Sequence, residues 1–218
     1  MAKVRREYKE LVASFARRFY ESHLTPGMDS GDWSIRDEET GYIYICPRPG
    51  NQFEITDWTV LKPQNVCVID MDGKLVEDAG LLPTVEAPMH IAIYKDRPEI
   101  HAIVHSHPIY SSAFAITGKN IPLALAEQAL FLGGEVVCAE YGLVGSKELA
   151  DNIVKALKGN KMAALLRNHG SVTLGRDLTE AFVLADFLEH GARVAIMAMS
   201  LGKIIEISPD NILDPGLL

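Results

Sequence analysis

The stretch HAIVHSHP, residues 101–108, places three of the chain's seven histidines within eight positions. Ile103 and Val104, flanked by Pro98 and Pro108, read as a strand, in which side chains two apart share a face. His105 and His107 then stand side by side. At roughly 3.3 Å per residue their Cα atoms are about 6.6 Å apart, within reach of one metal ion. Such a pair can equally hydrogen-bond to backbone or solvent, so both uses stay open on this motif alone. His101 has the same parity but lies roughly 13 Å away by the same rise, outside the pair. A catalytic zinc usually takes three protein ligands and keeps one position open. Among His23, His90, His101, His169 and His190, the best third ligand is His169. It ends an apolar run in Arg167-Asn168-His169-Gly170, where a turn can present it into a cleft or simply bond it locally. His190 falls inside a long helical pattern, in a solvated or capping role.

Three further side chains bear on the chemistry. Glu86 opens a helical pattern, as a first-turn acid favoured by the helix dipole, or as a ligand or general base beside a cation. His90, four residues on, shares that helix face and is expected to bond to Glu86 or to pack. Glu127, in LALAEQALFLGG, is either on an exposed helix face or a second acid/base group at a closed site.

These groups must be carried by strands and helices, and the patterning supplies both. Residues 1–22 read as one amphipathic helix with Tyr8, Leu11, Val12, Phe15 and Phe19 on its apolar stripe. GDWSIRD and TGYIYICPRPG alternate like strands, and VCVIDMDGKLVE reads as a hairpin around Asp72-Gly73. Thr84 is placed to cap a helix through VEAPMHIAIYKD, with Pro88 in its first turn. Helices near 109–117 and 122–132 follow the histidines. Then come a strand EVVCAEY, a helix capped by Ser146, a buried strand MAALL and a long helix starting near Asp177. Strands and helices without regular βαβ alternation predict an α/β sheet with antiparallel pairs, covered by helices.

Composition narrows the partners. With 218 residues and 48% hydrophobic, the chain suits one domain, residues 1–218, with a single core. A formal charge of -8 argues against a nucleic-acid partner, whose binding needs excess Lys and Arg. No dinucleotide or P-loop glycine motif occurs. Cys46, Cys67 and Cys138 are odd in number and widely spaced, which argues against a disulfide framework and fits the cytoplasm. No run approaches the roughly 20 apolar residues of a membrane span, and the first residues lack a signal-peptide core.

Glu86 in LPTVEAPMHIAIY, then HAIVHSHP, then LLRNHG, resembles the class II aldolase/adducin family, from GDWSIRD to the last helix. That family includes L-fuculose-1-phosphate aldolase and L-ribulose-5-phosphate 4-epimerase. The resemblance implies a three-layer α/β/α sandwich with a mainly antiparallel central sheet, and a homotetramer with sites between subunits. It implies His105, His107 and His169 as ligands of Zn2+, with Mn2+ or Co2+ as other divalent choices, and Glu86 as the acid/base that also touches the metal. A glutamate at that position favours carbon–carbon cleavage through a metal-stabilised enediolate over epimerisation. Glu127 falls near the aldolases' tyrosine acid/base, where related dehydratases carry a glutamate.

The substrate contacts implied are Asp32, Arg48, Gly50 and Thr84, and here the pattern departs from the family. Members that bind sugar phosphates commonly show Gly-Asn-x-Ser, Thr-Pro-Ser-Gly and Lys-Pro-Ser-Ser. The corresponding pieces are Gly31-Asp32-Trp33-Ser34, Cys46-Pro47-Arg48-Pro49-Gly50 and Leu82-Pro83-Thr84-Val85. Arg48 either restores a cationic grip on phosphate or carboxylate or is a solvated loop residue. The expected activity is therefore a metal-dependent aldolase acting on a sugar phosphate or sugar-derived substrate. A dehydratase, epimerase or decarboxylase is the alternative, and a non-enzymatic adducin-like module stands from a different class.

Overall fold

Apolar residues on both sides of nearly every strand require a sheet covered on both faces, and the chain builds one. The computed structural model describes residues 3–26, 30–48, 58–78 and 80–208. Its strands are β1 (Asp32–Arg36), β2 (Ile43–Ile45), β3 (Cys67–Ile69), β4 (Ala102–Ser106), β5 (Val137–Ala139), β6 (Ala163–Leu166) and β7 (Gly170–Gly175). They form one seven-stranded sheet in the order β3-β2-β1-β4-β7-β6-β5. Every pairing is antiparallel except β5 with β6, as the expected mainly antiparallel α/β architecture requires.

The helices are α1 (Arg6–Ser14), α2 (Ala16–Glu21), α3 (Ala87–Asp96), α4 (Ile109–Thr117), α5 (Ala126–Phe131), α6 (Lys147–Ala156) and α7 (Leu178–Leu201). Strand alternation sorts them into two layers. Ile43, Ile45, Ile103, Leu166 and Val172 pack with Met89 and Ile93 of α3 and Leu149 and Ile153 of α6. Tyr44, Ala102 and Val104 point the other way, into a core with Val12, Phe19 and Phe182 from α1, α2 and α7. Trp33 is fully buried there, against Phe19, Trp58 and Phe182. His105 has the parity of Ile103, so its ring belongs to the α3 face.

Several expectations are corrected. The N-terminal helix breaks at Phe15 into α1 and α2, and Leu11, expected on its apolar stripe, is 37% exposed. The helix expected over 122–132 shortens to α5, because the Gln128 carboxamide folds back to accept from the backbone N–H groups of Ala124 and Leu125. Thr84 does not occupy the N-cap of α3; Glu86 does, and the Thr84 hydroxyl accepts from its N–H at 3.2 Å. Strand β7 is absent from the sequence reading altogether, although all six of its residues are buried and it pairs with both β4 and β6. Its Ser171 and Thr173 break the apolar pattern; inside the fold the Thr173 hydroxyl donates to Ala181 O at 2.8 Å. Ser146 and Asp177 do cap α6 and α7, each accepting from the backbone three residues on. Among the described residues no helix is long and apolar enough to cross a membrane.

Candidate metal and catalytic site

The site forms where β4 ends beside the β6–β7 turn. His105, 1% exposed, directs Nδ1 at the Ser171 carbonyl of the neighbouring strand, 2.9 Å away. A carbonyl only accepts, so Nδ1 carries the proton and Nε2 keeps its lone pair, the tautomer a metal ligand needs. His107, just past the strand, is pinned by its N–H donating to Leu24 O at 2.8 Å. Its Nε2 lies 2.9 Å from Nε2 of His105. His169 arrives from the turn, where Asn168 takes the left-handed conformation (φ 57°), which asparagine tolerates better than most residues. The N–H of Asn168 donates to Ala115 O of α4 at 3.2 Å. One nitrogen from each of the three rings lies within 4.8 Å of the others.

Gly170 makes this convergence sterically feasible. A Cβ there would lie 2.4 Å from Ser106 O and 2.5 Å from Cδ2 of His107. The glycine in Asn168-His169-Gly170 leaves room for the His107 ring.

Glu86, 3% exposed, completes the cluster from the start of α3. Its Oε2 is 3.2 Å from Nε2 of His105 and 3.8 Å from Nε2 of His169. Oε1 accepts from Gly145 N–H at 3.3 Å, while Oε2 is buried without a hydrogen-bond donor. Burial, reinforced by the charge of Asp32, raises the Glu86 carboxyl above its ordinary range. Burial followed by the neighbouring imidazoles pushes His107 down to about 2; burial followed by His105 pushes His169 down to about 4. Burial also lowers His105. Three imidazoles kept neutral and one carboxylate oxygen lacking a donor are a donor set that suits a divalent cation.

A second buried network lies behind the histidines. Asp32 is the cross-strand partner of His105. Its Oδ2 accepts from the Thr84 hydroxyl at 2.6 Å, and Oδ1 lies 2.9 Å from Nε2 of His90. Burial works to raise the Asp32 carboxyl, but the adjacent His90 imidazole and the Thr84 hydroxyl outweigh it and hold it down to about 2. Nδ1 of His90 meets Ser34 Oγ at 2.7 Å, and that hydroxyl meets Tyr94 OH at 2.8 Å. His90 therefore pairs with Asp32 rather than with the Glu86 side chain, because its ring is directed at β1.

The remaining candidates are more scattered. Arg48 is exposed, holds Leu82 O through its backbone N–H at 2.7 Å, and lines a cavity of about 880 Å³ with Thr84, Val85 and Gly145. The cavity adjoins the two residues that hold Glu86, although the histidines are not part of its lining. Glu127 is exposed in the first turn of α5 and does not join the cluster within the single chain. Gly50 lies outside the described residues. His101 faces Glu38 at 3.4 Å and His190 is exposed, both apart from the cluster. Nothing in the sequence pattern marks Ser171, Gly145 or Gly170: the first two act through backbone atoms, which side-chain type does not advertise.

The profile of the Class II Aldolase and Adducin N-terminal domain family matches residues 10–196. A 5-deoxy-D-ribulose 1-phosphate aldolase from Bacillus thuringiensis serovar kurstaki is 31% identical over 200 residues, covering 92% of this chain and 89% of that protein. An L-fuculose phosphate aldolase from Methanocaldococcus jannaschii is 31% identical over 195 residues, covering 89% of this chain and 99% of its own length. A solved structure of an L-fuculose 1-phosphate aldolase superposes with a TM-score of 0.87 at 30% identity, over 97% of this chain and 94% of that one. The chain therefore belongs to the class II aldolase and adducin family, whose aldolases are metal-dependent.

Proposed function

We propose that this chain is a zinc-dependent aldolase that cleaves or forms a carbon–carbon bond in a small sugar phosphate. The observation that carries the reading is the convergence of His105, His107 and His169 on one point, with the unbonded Oε2 of Glu86 3.2 Å from the nearest of them. Three imidazoles suit zinc, and a set of three leaves a position for substrate. When bound, the cation supplies Lewis acidity that polarises the substrate carbonyl and stabilises negative charge on the fragment that keeps it.

The chain's own residues do the rest. Ser171 O fixes the His105 tautomer, and Leu24 O anchors the His107 backbone. Glu86 stands where it can give a proton to the carbon that retains the electron pair on cleavage, and remove one in condensation. Its burial and the nearby Asp32 make it a better base than a surface carboxylate. Gly145 N–H steadies its other oxygen. Glu127 takes the proton from the hydroxyl that becomes the aldehyde. Being exposed on α5, it reaches a site across a subunit boundary, which suits a homotetramer with sites between subunits. The exposed Ile109, Ile116 and Phe131 supply apolar surface for such contacts. Arg48, on the cavity wall beside Thr84, is suited to the anionic end of the substrate. The buried free thiols of Cys46, Cys67 and Cys138 support a reducing compartment such as the cytoplasm.

The test is incubation with a panel of ketose 1-phosphates and sugar acids, with and without chelator, reading products by mass. Chelator-sensitive cleavage into two carbon fragments is expected. Loss of water or carbon dioxide, or an isomer of unchanged mass, would overturn the aldolase reading in favour of a dehydratase, decarboxylase or epimerase. Glu86→Gln should leave the fold intact and lower turnover by roughly 10²–10⁴; unchanged turnover removes Glu86 from the proton transfer.

A further inference from the structure

Helix α4 begins immediately after the metal-directed His107, and its first turn has backbone N–H groups that need acceptors. The residue at the cap position is Pro108, which makes no side-chain cap, and the first turn of α4 contains no acid. Proline there is compatible with His107: it favours an extended conformation in the residue before it. It also leaves the N–H groups of Tyr110 and Ser111 without a local side-chain acceptor.

The acceptor comes from α7. Glu189 Oε1 accepts from Tyr110 N–H at 2.8 Å, and Oε2 accepts from Ser111 N–H and from the Ser111 hydroxyl, each at 2.8 Å. Ser111 is fully buried. Glu189 forms no ion pair among the described residues; Arg193, one turn further along α7, packs its guanidinium over the Tyr110 ring at 5.5 Å. The carboxylate is thus held by three donors at the positive end of a helix, a charge-assisted arrangement stronger than neutral hydrogen bonds. His107 consequently stands between fixed points. Ser106 pairs with Ser171 in the sheet, Leu24 O holds the His107 N–H, and α4 is tied to α7 three residues downstream.

We propose that Glu189 is a positioning residue, which holds His107 in its cation-binding pose by clamping the N-terminus of α4 to α7. The proposal rests on the metal-site reading above. It goes beyond that reading by assigning a function to a carboxylate that touches neither substrate nor cation.

The experiment is titration of the metal-free protein with Co2+, followed by the visible absorption of the bound ion, on wild type, Glu189→Ala, Glu189→Gln and His107→Ala. Thermal melting is recorded alongside. Glu189→Ala should fold, weaken Co2+ binding by roughly 10–100-fold and alter the absorption band, as loss of a ligand's supporting contact does. Glu189→Gln should fall between, because its carboxamide oxygen accepts from one N–H while its NH2 group opposes the other. It remains informative if the alanine variant does not fold. A lower melting temperature with wild-type Co2+ affinity and spectrum in both Glu189 variants would make Glu189 an ordinary helix cap and overturn the proposal. Unchanged Co2+ binding in His107→Ala would instead overturn the metal site itself, and the two failures are distinguishable.

Discussion

Replacing Gly170 with alanine adds one methyl group at the most crowded point of the site. The new Cβ would sit 2.4 Å from Ser106 O and 2.5 Å from Cδ2 of His107, where non-bonded carbon contacts prefer roughly 3.5–4 Å. About 1 Å of movement is needed. The Ser106 carbonyl has little freedom to provide it, since Ser106 pairs with Ser171 in the β4–β7 ladder and Gly170 itself pairs with Leu166. The His107 ring is the softer partner and must turn, moving Nε2 away from the other two imidazoles. Overpacking of this kind costs about 2 kcal/mol, which in a domain of this size lowers the melting temperature by roughly 4–8 °C. The same displacement should weaken cation binding by about tenfold or more. Calorimetric melting of the metal-free protein gives the first quantity, and Zn2+ titration against a competing chelator gives the second. If Gly170→Ala melts within about 1 °C of wild type and binds Zn2+ with unchanged affinity, the close approach of ring and backbone is not what requires glycine here.

Two further outcomes follow from the electrostatics. His169 has a folded value near 4 against an ordinary 6.5, so as pH falls the unfolded chain takes up the proton first. Its stabilising contribution is therefore complete above about pH 6.5 and is lost between there and pH 4, amounting to about 3 kcal/mol. Denaturant midpoints of the metal-free protein at pH 7 and 4.5 should differ more for wild type than for His169→Asn; equal differences would refute this. Asp32→Asn replaces the buried carboxylate that accepts from the Thr84 hydroxyl and lies 2.9 Å from Nε2 of His90, and should lower the unfolding free energy at pH 7 by about 1–3 kcal/mol, because charge-assisted contacts become neutral ones. An unchanged midpoint would show that the Asp32 charge contributes nothing to the fold.

Much of the site was legible from spacing. Two histidines at i and i+2 on a strand must share a face, whatever the surrounding fold, and His105 and His107 do. The acid at the start of α3 and the histidine after MAALLRN were likewise found from their element boundaries. Helix α4 and the caps at Ser146 and Asp177 followed from local chemistry, which acts over a few residues and is written in consecutive letters. Strand β7 was not legible, because SVTLG mixes hydroxyls with apolar residues. Its burial comes from neighbours on both sides, β4 more than sixty positions away among them.

The sequence by itself determined which side-chain types are offered to the candidate site, the covering of the sheet on both faces and the order of the chemistry-bearing segments, since those depend on side-chain identity and period. Tertiary structure alone decided that His90 belongs to Asp32 rather than Glu86, that the His105 tautomer is set by a carbonyl of β7, and that the acid capping α4 comes from α7. Each is a contact between residues distant in the chain, made partly by backbone atoms common to every residue. Such contacts exist only once packing has brought the elements together.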